Sequence, residues 1–231
     1  MKRLFCYILL VFLVVVPARA QRDFDERSEQ SGRRFGYEHD SYMGIRFGLN
    51  VPTIHYRGTG GRADASAITR FGLGFVYGTK LGHGLPFYLE SGLLYTEKGG
   101  EVEAYEDYEY RKACLKYFEV PVVLKYKVET PVDGLTVQPF FGGFLSVGIA
   151  GKTKFYQSRI KVSSYSGTRY KRFDSGLRIG CGAAYENFYF EMAYDIGLFN
   201  IAGSHYSDYY YDDFDGHIRT GCFQMSLGID F

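Results

Sequence analysis

The sequence predicts an all-β fold, an eight-stranded antiparallel transmembrane β-barrel, from three observations. Apolar and polar side chains alternate with a period of two in segments throughout residues 42–231, as in strands with one apolar and one polar face. The polar face carries glycine together with charges of both signs. The connections between segments alternate between short and long, which is the habit of outer-membrane barrels.

Residues 1–20 are predicted to be a secretory signal peptide. Lys2 and Arg3 precede an apolar run, Leu4–Val16, and Ala18-Arg19-Ala20 forms a small-x-small cleavage site. The run is shorter than the roughly 20 residues of a membrane-spanning helix, and no later segment is longer, so the chain must cross a membrane with strands. The polar residues 21–41 are expected to be a flexible periplasmic segment before the barrel domain, residues 42–231.

The first four strands are predicted where the alternation is clearest. In the opening segment Ile45, Phe47 and Leu49 alternate with Gly44, Arg46 and Gly48. Each segment, with its flanking residues, has about the ten residues that a tilted strand needs to cross a bilayer. The four predicted strands are Met43–Asn50, Arg70–Thr79, Phe87–Lys98 and Leu115–Lys127.

The last four strands continue the same pattern. In the closing segment Phe223, Met225, Leu227, Ile229 and Phe231 share the apolar face. An even number of strands brings both ends of the barrel domain to the same side, where a closing strand can pair with the first. These four strands are Leu135–Ile149, Asp174–Tyr185, Phe188–Leu198 and His217–Phe231.

The connections predict which side of the membrane each end faces. Short periplasmic turns and long extracellular loops are typical of outer-membrane barrels. The predicted short turns are Lys80–Pro86, Val128–Gly134 and Glu186–Asn187, and the predicted long loops are Val51–Thr69, Lys98–Cys114, Ala150–Phe173 and Phe199–His217.

The charges on the polar face are predicted to form a paired network inside the barrel. An eight-stranded barrel is just wide enough to be filled by side chains, and buried charges are tolerated when they are paired. We therefore expect a plugged lumen, with a small channel as the alternative. The predicted lumenal charges are Arg46, Glu90, Glu119, Lys125, Arg178, Glu191 and Asp195.

Composition argues against several other classes of protein. Cleavage of the signal peptide would remove Lys2, Arg3 and Arg19, which leaves 24 of the 27 basic residues against 26 acidic ones. The mature chain is therefore slightly acidic and has no strong basic field that would indicate binding to nucleic acid. The three remaining cysteines lack CxxC spacing, which argues against a disulfide framework or a zinc site. Asp213-x-Asp215-Gly216 lacks the remainder of a calcium loop. We expect no metal and no cofactor.

The predicted long loops have marked charge bias. Glu97–Glu109 and Ser207–Gly216 are acidic, whereas Ala150–Arg172 contains seven basic residues and no acidic one. The simplest expectation is that these loops contact one another and the lipopolysaccharide of the outer membrane. The alternative is a recognition surface for a protein or glycan partner, because tyrosine supplies contact area at low entropic cost. Its core would be Tyr206, Tyr209, Tyr210 and Tyr211.

The chain is not expected to be an enzyme. Ser204, His205 and Asp208 are close in sequence, but a catalytic triad is defined by geometry rather than by adjacency. Neither a nucleophile elbow nor an H-E-x-x-H motif occurs. A loop-borne enzyme remains an alternative.

Four segments resemble the PorT-like outer-membrane β-barrel proteins of the Bacteroidetes in order and spacing. They are YLESGLLYTEKGG from Tyr88, KYFEVPVVLKY from Lys116, PFFGGFLSVGIAGK from Pro139 and FEMAYDIGLFNI from Phe190. The resemblance implies an eight-stranded barrel in a Gram-negative outer membrane, inserted by the barrel assembly machinery. It also implies an alternative role, as an accessory subunit of a secretion or transport assembly.

Overall fold

Eight long strands and three short ones form one antiparallel sheet. The computed structural model describes residues 41–58, 61–64, 68–82, 86–102, 111–155, 161–165, 170–203 and 217–231. The long strands are β1 (Ser41–Gly58), β3 (Arg70–Lys80), β4 (Phe87–Val102), β5 (Arg111–Tyr126), β7 (Leu135–Phe155), β9 (Phe173–Tyr185), β10 (Phe188–Gly197) and β11 (His217–Asp230). The short ones are β2 (Gly61–Asp64), β6 (Val128–Glu129) and β8 (Lys161–Ser163).

The sheet closes on itself as a barrel. The eight long strands follow the order β11-β10-β9-β7-β5-β4-β3-β1, and β1 also pairs with β11. The closing ladder runs from Gly44 opposite Asp230 to Arg57 opposite His217. Beyond it, the amide of Met43 donates to the Phe231 carbonyl at 2.9 Å and the amide of Phe231 donates back at 2.8 Å. The predicted fold class is therefore confirmed.

Large apolar side chains cover the outside of the barrel. This is the arrangement of a barrel immersed in lipid, because a water-soluble barrel would turn these side chains inward. Among the described residues, no helix is long and apolar enough to span a membrane. The exposed apolar residues include Ile45, Phe47, Leu49, Phe71, Leu73, Phe75, Leu93, Phe118, Val122, Phe141, Leu145, Ile179, Met192, Met225 and Leu227.

Four strands extend further toward the extracellular end than the alternation predicted, and these predicted bounds were wrong. β1 continues to Gly58, β4 to Val102 and β7 to Phe155, while β5 already begins at Arg111. The apolar side chains report only the part of a strand that faces lipid. The hydrogen-bonded ladder continues above the membrane, where polar side chains are tolerated on both faces.

A β-bulge in β7 reverses the direction of the side chains that follow it. Lys116 of β5 pairs with Ala150, whereas Tyr117 pairs with Gly148, so Ile149 is an extra residue. Before the bulge Ser146 is buried and Val147 exposed; after it Lys152 is exposed and Thr153 buried. A one-residue insertion of this kind exchanges the inner and outer faces of a strand.

Glycines on the inner face seat aromatic rings from neighbouring strands. A Cβ atom at Gly78 would lie 2.2 Å from the ring of Tyr42, and one at Gly182 would lie 2.2 Å from the Tyr189 hydroxyl. Because these rings occupy the space beside the glycines, they fill a lumen that side chains on every position would overcrowd.

Several predictions concern residues near or beyond the described ranges. The predicted signal peptide, residues 1–20, and nearly all of the predicted periplasmic segment, residues 21–41, lie outside them. Cys114 lies near the extracellular end of β5, Cys181 is exposed on the outer face, and Cys222 is buried. All three thiols are unpaired.

Candidate functional site

The lumen is occupied by an ion-pair network of four cations and six carboxylates. Six of the eight barrel strands contribute to it, and the side chains of Lys98, Glu119 and Lys125 are 0% exposed. We call this set the lumenal network: Arg46, Glu90, Lys98, Glu119, Lys125, Asp174, Arg178, Glu191, Asp195 and Asp230.

The layer of the lumenal network nearest the periplasm is built around Glu90. Its Oε2 atom lies 2.8 Å from Nζ of Lys125, and the Tyr42 hydroxyl donates to the same oxygen at 2.6 Å. Arg46 pairs with Asp230 on the closing strand and lies 4.0 Å over the ring of Tyr189. Ion pairs and cation–π contacts thus compensate both cations for their removal from water.

The middle layer of the lumenal network is centred on Arg178. Its guanidinium lies 3.1 Å from Glu119, 3.3 Å from Glu191 and 3.4 Å from Asp195. It also donates to Oε1 of Gln224 at 3.0 Å. The planar five-donor guanidinium suits such a hub, because it can bind several acceptors in fixed directions.

The upper layer of the lumenal network joins β4 to β9. Nζ of Lys98 lies 2.8 Å from Glu119 and 3.8 Å from Asp174, and it lies 4.0 Å over the ring of Phe144. The Thr220 hydroxyl donates to Asp174 at 2.7 Å. These contacts link the upper layer to Arg178 through the shared carboxylate of Glu119.

An apolar cap closes the extracellular end of the lumen. It is formed by Ile54, Ala113, Leu115, Tyr117, Tyr170, Ile201, Ala202 and Ile218, with Tyr165 packed against it. Tyr170 and Ala202, from two different extracellular connections, form an antiparallel bridge. Burial raises the pKa of Tyr165 to about 12, so its phenol stays neutral at physiological pH.

The lumen has little free space among these side chains. The cavity between Arg46, Glu90, Arg178 and Glu191 measures about 20 Å³, room for roughly one water molecule. A hydrated ion needs a wider and continuous path. The arrangement therefore acts as a charged filling that holds the barrel wall together rather than as an aqueous pore.

The structure brings all seven predicted lumenal charges together in the lumenal network. Sequence reasoning missed Lys98, Asp174 and Asp230, which lie near strand ends where the alternation fades. Lys98 and Asp174 each lie an even number of residues from an inward-facing charge on the same strand, and this spacing could have identified them. Asp230 had no such signal, because β11 carries no other charge on its inner face.

The tyrosines of the predicted recognition surface lie outside the described part of the chain, and Glu97 belongs to a strand instead of a loop. Tyr206, Tyr209, Tyr210 and Tyr211 lie outside the described residues, as do His205 and Asp213. Glu97, predicted to lie in an acidic loop, is instead a buried residue of β4 that accepts a hydrogen bond from the Tyr95 hydroxyl at 2.7 Å. Within the described ranges, no group of three or more His, Cys, Asp or Glu residues could hold a metal ion.

Comparison with solved structures finds other bacterial barrels at low sequence identity. Ail, the attachment invasion locus protein of Yersinia pestis, is 13% identical over 84% of this chain and 100% of its own, with a TM-score of 0.41. Neisserial surface protein A is 13% identical over 83% and 96%, with a TM-score of 0.39. The N-terminal β-barrel domain of Pseudomonas aeruginosa OprF is 17% identical over 84% and 98%, with a TM-score of 0.35.

These similarities concern backbone shape and carry nothing about ligands or partners. No curated protein matches the chain. The sequence profile of the family described as outer membrane protein beta-barrel domain matches residues 20–203, which is most of the chain. With the apolar exterior and the filled lumen, this match identifies the chain as an integral outer-membrane barrel that belongs to the outer membrane protein beta-barrel domain family.

Proposed function

We propose that the protein is a non-conducting barrel whose rigid body holds its extracellular loops as the working surface. The observation that carries this proposal is the lumenal network, which crosses the lumen continuously from Asp230 to Asp174 beneath an apolar cap. A body filled in this way is suited to structural support or binding, because loops on a rigid scaffold can be positioned precisely.

Conductance across a planar lipid bilayer tests this proposal. The folded protein should add no stepwise ion current to that of the bare bilayer. Substitution of the lumenal Lys98 by Ala and of the lipid-facing Leu93 by Ala should give the same silent record. Reproducible current steps that change with Lys98→Ala and not with Leu93→Ala would instead establish an open lumen.

The tyrosine-rich connection between β10 and β11 is our candidate recognition surface for a protein or glycan. The support is its composition, SDYYYDDFDG in residues 207–216, and the fact that β10 ends and β11 begins at the extracellular end of the barrel. Tyrosine is the residue on which many recognition loops rely. The partner would contact Tyr206, Tyr209, Tyr210 and Tyr211.

Crosslinking in intact outer membranes, followed by mild-detergent capture and mass spectrometry, tests this surface. Replacement of these four tyrosines by serine should remove a reproducible crosslinked partner. Serine at Tyr105, Tyr108 and Tyr110, in another extracellular connection, serves as the matched control. Capture of a lone barrel from wild-type membranes, or equal loss in both variants, would contradict the proposal.

A finer placement, with the PorT-like barrels of the Bacteroidetes, would make the protein an accessory subunit of a secretion or transport assembly. Its support is the resemblance of the four segments that begin at Tyr88, Lys116, Pro139 and Phe190. The resemblance also implies insertion by the barrel assembly machinery. Export by a signal peptide and contact with lipopolysaccharide rest instead on the sequence of residues 1–20 and on the charge bias of the long loops. The same crosslinking experiment distinguishes it, because an assembly subunit would be captured with secretion components.

We assign the protein no catalytic reaction and no nucleic-acid ligand. The support is the sequence, which has neither a nucleophile elbow nor an excess of basic residues. Lipid or peptide turnover that is abolished by His205→Ala would contradict the first assignment.

A further inference from the structure

The outer surface of β5 and β7 changes abruptly from apolar to basic at its extracellular end. Phe118 and Val147 form an exposed apolar pair across the two strands. The next outward-facing positions hold Lys116 opposite Ala150, and Lys112 lies opposite Lys154 two steps further on. The change occurs within about two residues, which places ammonium groups directly above the surface that contacts acyl chains.

The bulge at Ile149 creates this basic surface. Leu145 and Val147 face outward. Without the extra residue, the same alternation would direct Gly151 and Thr153 outward and Lys152 and Lys154 inward. With it, Lys152 and Lys154 are exposed on the outside while Thr153 is buried. Because successive outward residues are about 6–7 Å apart along a strand, the two ammonium groups can contact one anionic group.

The charges of this surface are only partly compensated within the protein. Lys116 lies 3.3 Å from Glu97, and Lys112 lies 3.5 Å from Glu101. Among the described residues, no carboxylate lies within ion-pair distance of Lys152 or Lys154, and residues 150–172 contain no acid. Like charges directly opposite one another destabilise a sheet, so Lys112 and Lys154 favour an external anion between them.

The position of these lysines along the barrel indicates which leaflet they face. Lys152 and Lys154 lie near the extracellular end of β7, beyond the exposed apolar residues of that strand. The described periplasmic turns expose Glu129, Asp133 and Glu186 and carry Lys80 and Lys127 at their edges. An anion bound by Lys152 and Lys154 would therefore belong to the outer leaflet.

We propose that Lys152 and Lys154, supported by Lys112, bind the phosphate groups of a phosphorylated glycolipid in the outer leaflet. Its acyl chains would lie on the apolar surface that includes Phe118 and Val147. Lysine binds phosphate as a point charge, and the adjacent apolar surface favours an anion that carries acyl chains over a free one. This site rests on the lipopolysaccharide contact of the proposed function and names the residues that would make it, and it depends neither on a closed lumen nor on a loop partner.

Native mass spectrometry of the full chain in phosphatidylcholine nanodiscs, titrated with diphosphoryl lipid A, tests the site. Lys152→Gln with Lys154→Gln should weaken binding by roughly 30-fold, on the order of fivefold for each lysine. Lys171→Gln with Arg219→Gln removes the same charge from other exposed positions and should change affinity by less than about threefold. Lys152→Arg with Lys154→Arg should retain binding.

Two further probes separate the possible sources of the anion. Lipid A stripped of its phosphates should bind wild type as weakly as diphosphoryl lipid A binds the double glutamine variant. Inorganic phosphate at millimolar concentration should not displace the lipid. Equal binding of the phosphate-free lipid, equal loss in the two charge-matched variants, or displacement by inorganic phosphate would each overturn the proposal. Heat-modifiable mobility on gels verifies that every variant is folded.

Discussion

A single buried arginine shows how the lumen tolerates its charges. Arg178 contacts Glu119, Glu191 and Asp195, which come from β5 and β10. Removing charges from water costs several kcal/mol for each ion, and good geometry recovers this only while all partners are present. Arg178 therefore contributes to stability mainly because its removal would deprive three buried carboxylates of a shared partner.

Replacement of Arg178 by Met should lower the free energy of unfolding by about 3–5 kcal/mol, because three buried carboxylates lose a shared partner. Urea unfolding in phospholipid vesicles, followed by tyrosine fluorescence and gel mobility, measures this change. Arg219→Met, at an exposed position of β11, should change stability by less than about 0.5 kcal/mol. Similar losses in the two variants would show that Arg178 is not a hub.

The sequence predicted the lumenal residues well in the middle of strands and poorly at their ends. Glu119 and Arg178 each stand between two apolar neighbours of the outer face, so their inward direction follows from alternation alone. Lys98 lies between Glu97 and Gly99, and Asp174 is followed by Ser175, so the alternation of apolar and polar residues is interrupted beside both. Glu97, on the outer face, is buried beside Tyr95 and Lys116. The sequence could not predict this burial, because it depends on the register between β4 and β5.

At the scale of elements, strand length exceeds membrane thickness. β7 contains 21 residues, and at about 3.3 Å per residue with a tilt near 40° it rises roughly 50 Å. The apolar band of such barrels is only about 25 Å tall. The upper part of β7, with β8 paired to it, therefore stands in the headgroup region and beyond. Hydrophobic alternation could not predict this upper part of β7, because outward-facing residues are apolar only where the strand contacts lipid.

Cysteine labelling tests the reversal at Ile149. In a background without Cys114, Cys181 and Cys222, a cysteine at Lys152 or Lys154 should react with a membrane-impermeant maleimide on whole cells. A cysteine at Thr153, which is buried, should be protected by at least about tenfold, as expected for an inward-facing strand position. The opposite pattern would mean that the bulge is absent, and it would also remove the basis for the phosphate site.

At the scale of the whole molecule, two chemically different barriers close the lumen. The apolar cap lies at the extracellular end, and the lumenal network lies below it, with Lys98 and Asp174 as its upper layer. The cap combines residues of β1, β5 and β11 with residues of two extracellular connections, whereas the lumenal network draws only on barrel strands and shares no residue with the cap. Each barrier should therefore block the lumen without the other.

Disruption of the cap should leave the barrel closed to ions. Tyr170→Ser with Ile201→Ser removes two buried apolar side chains from the cap, which should increase proteolysis of the extracellular connections by at least about threefold. Conductance should remain at the level of the bare bilayer, because the lumenal network is intact. Lys171→Ser, at the exposed neighbour of Tyr170, serves as the control. Stepwise currents in the double variant would show that the cap is the principal barrier.

The ion pair across the closing seam between β1 and β11 also has a consequence for insertion. Arg46 on β1 meets Asp230 on β11 only when Gly44 lies opposite Asp230 along the ladder. A slip of one residue would exchange the two faces of a strand and carry a charge toward the acyl chains, at a cost that reaches about 2–4 kcal/mol for an arginine at the bilayer midplane and decreases toward the interfaces. A barrel closed in the wrong register is thus disfavoured by the bilayer, and the charges inside this protein select the correct register of its first and last strands during insertion.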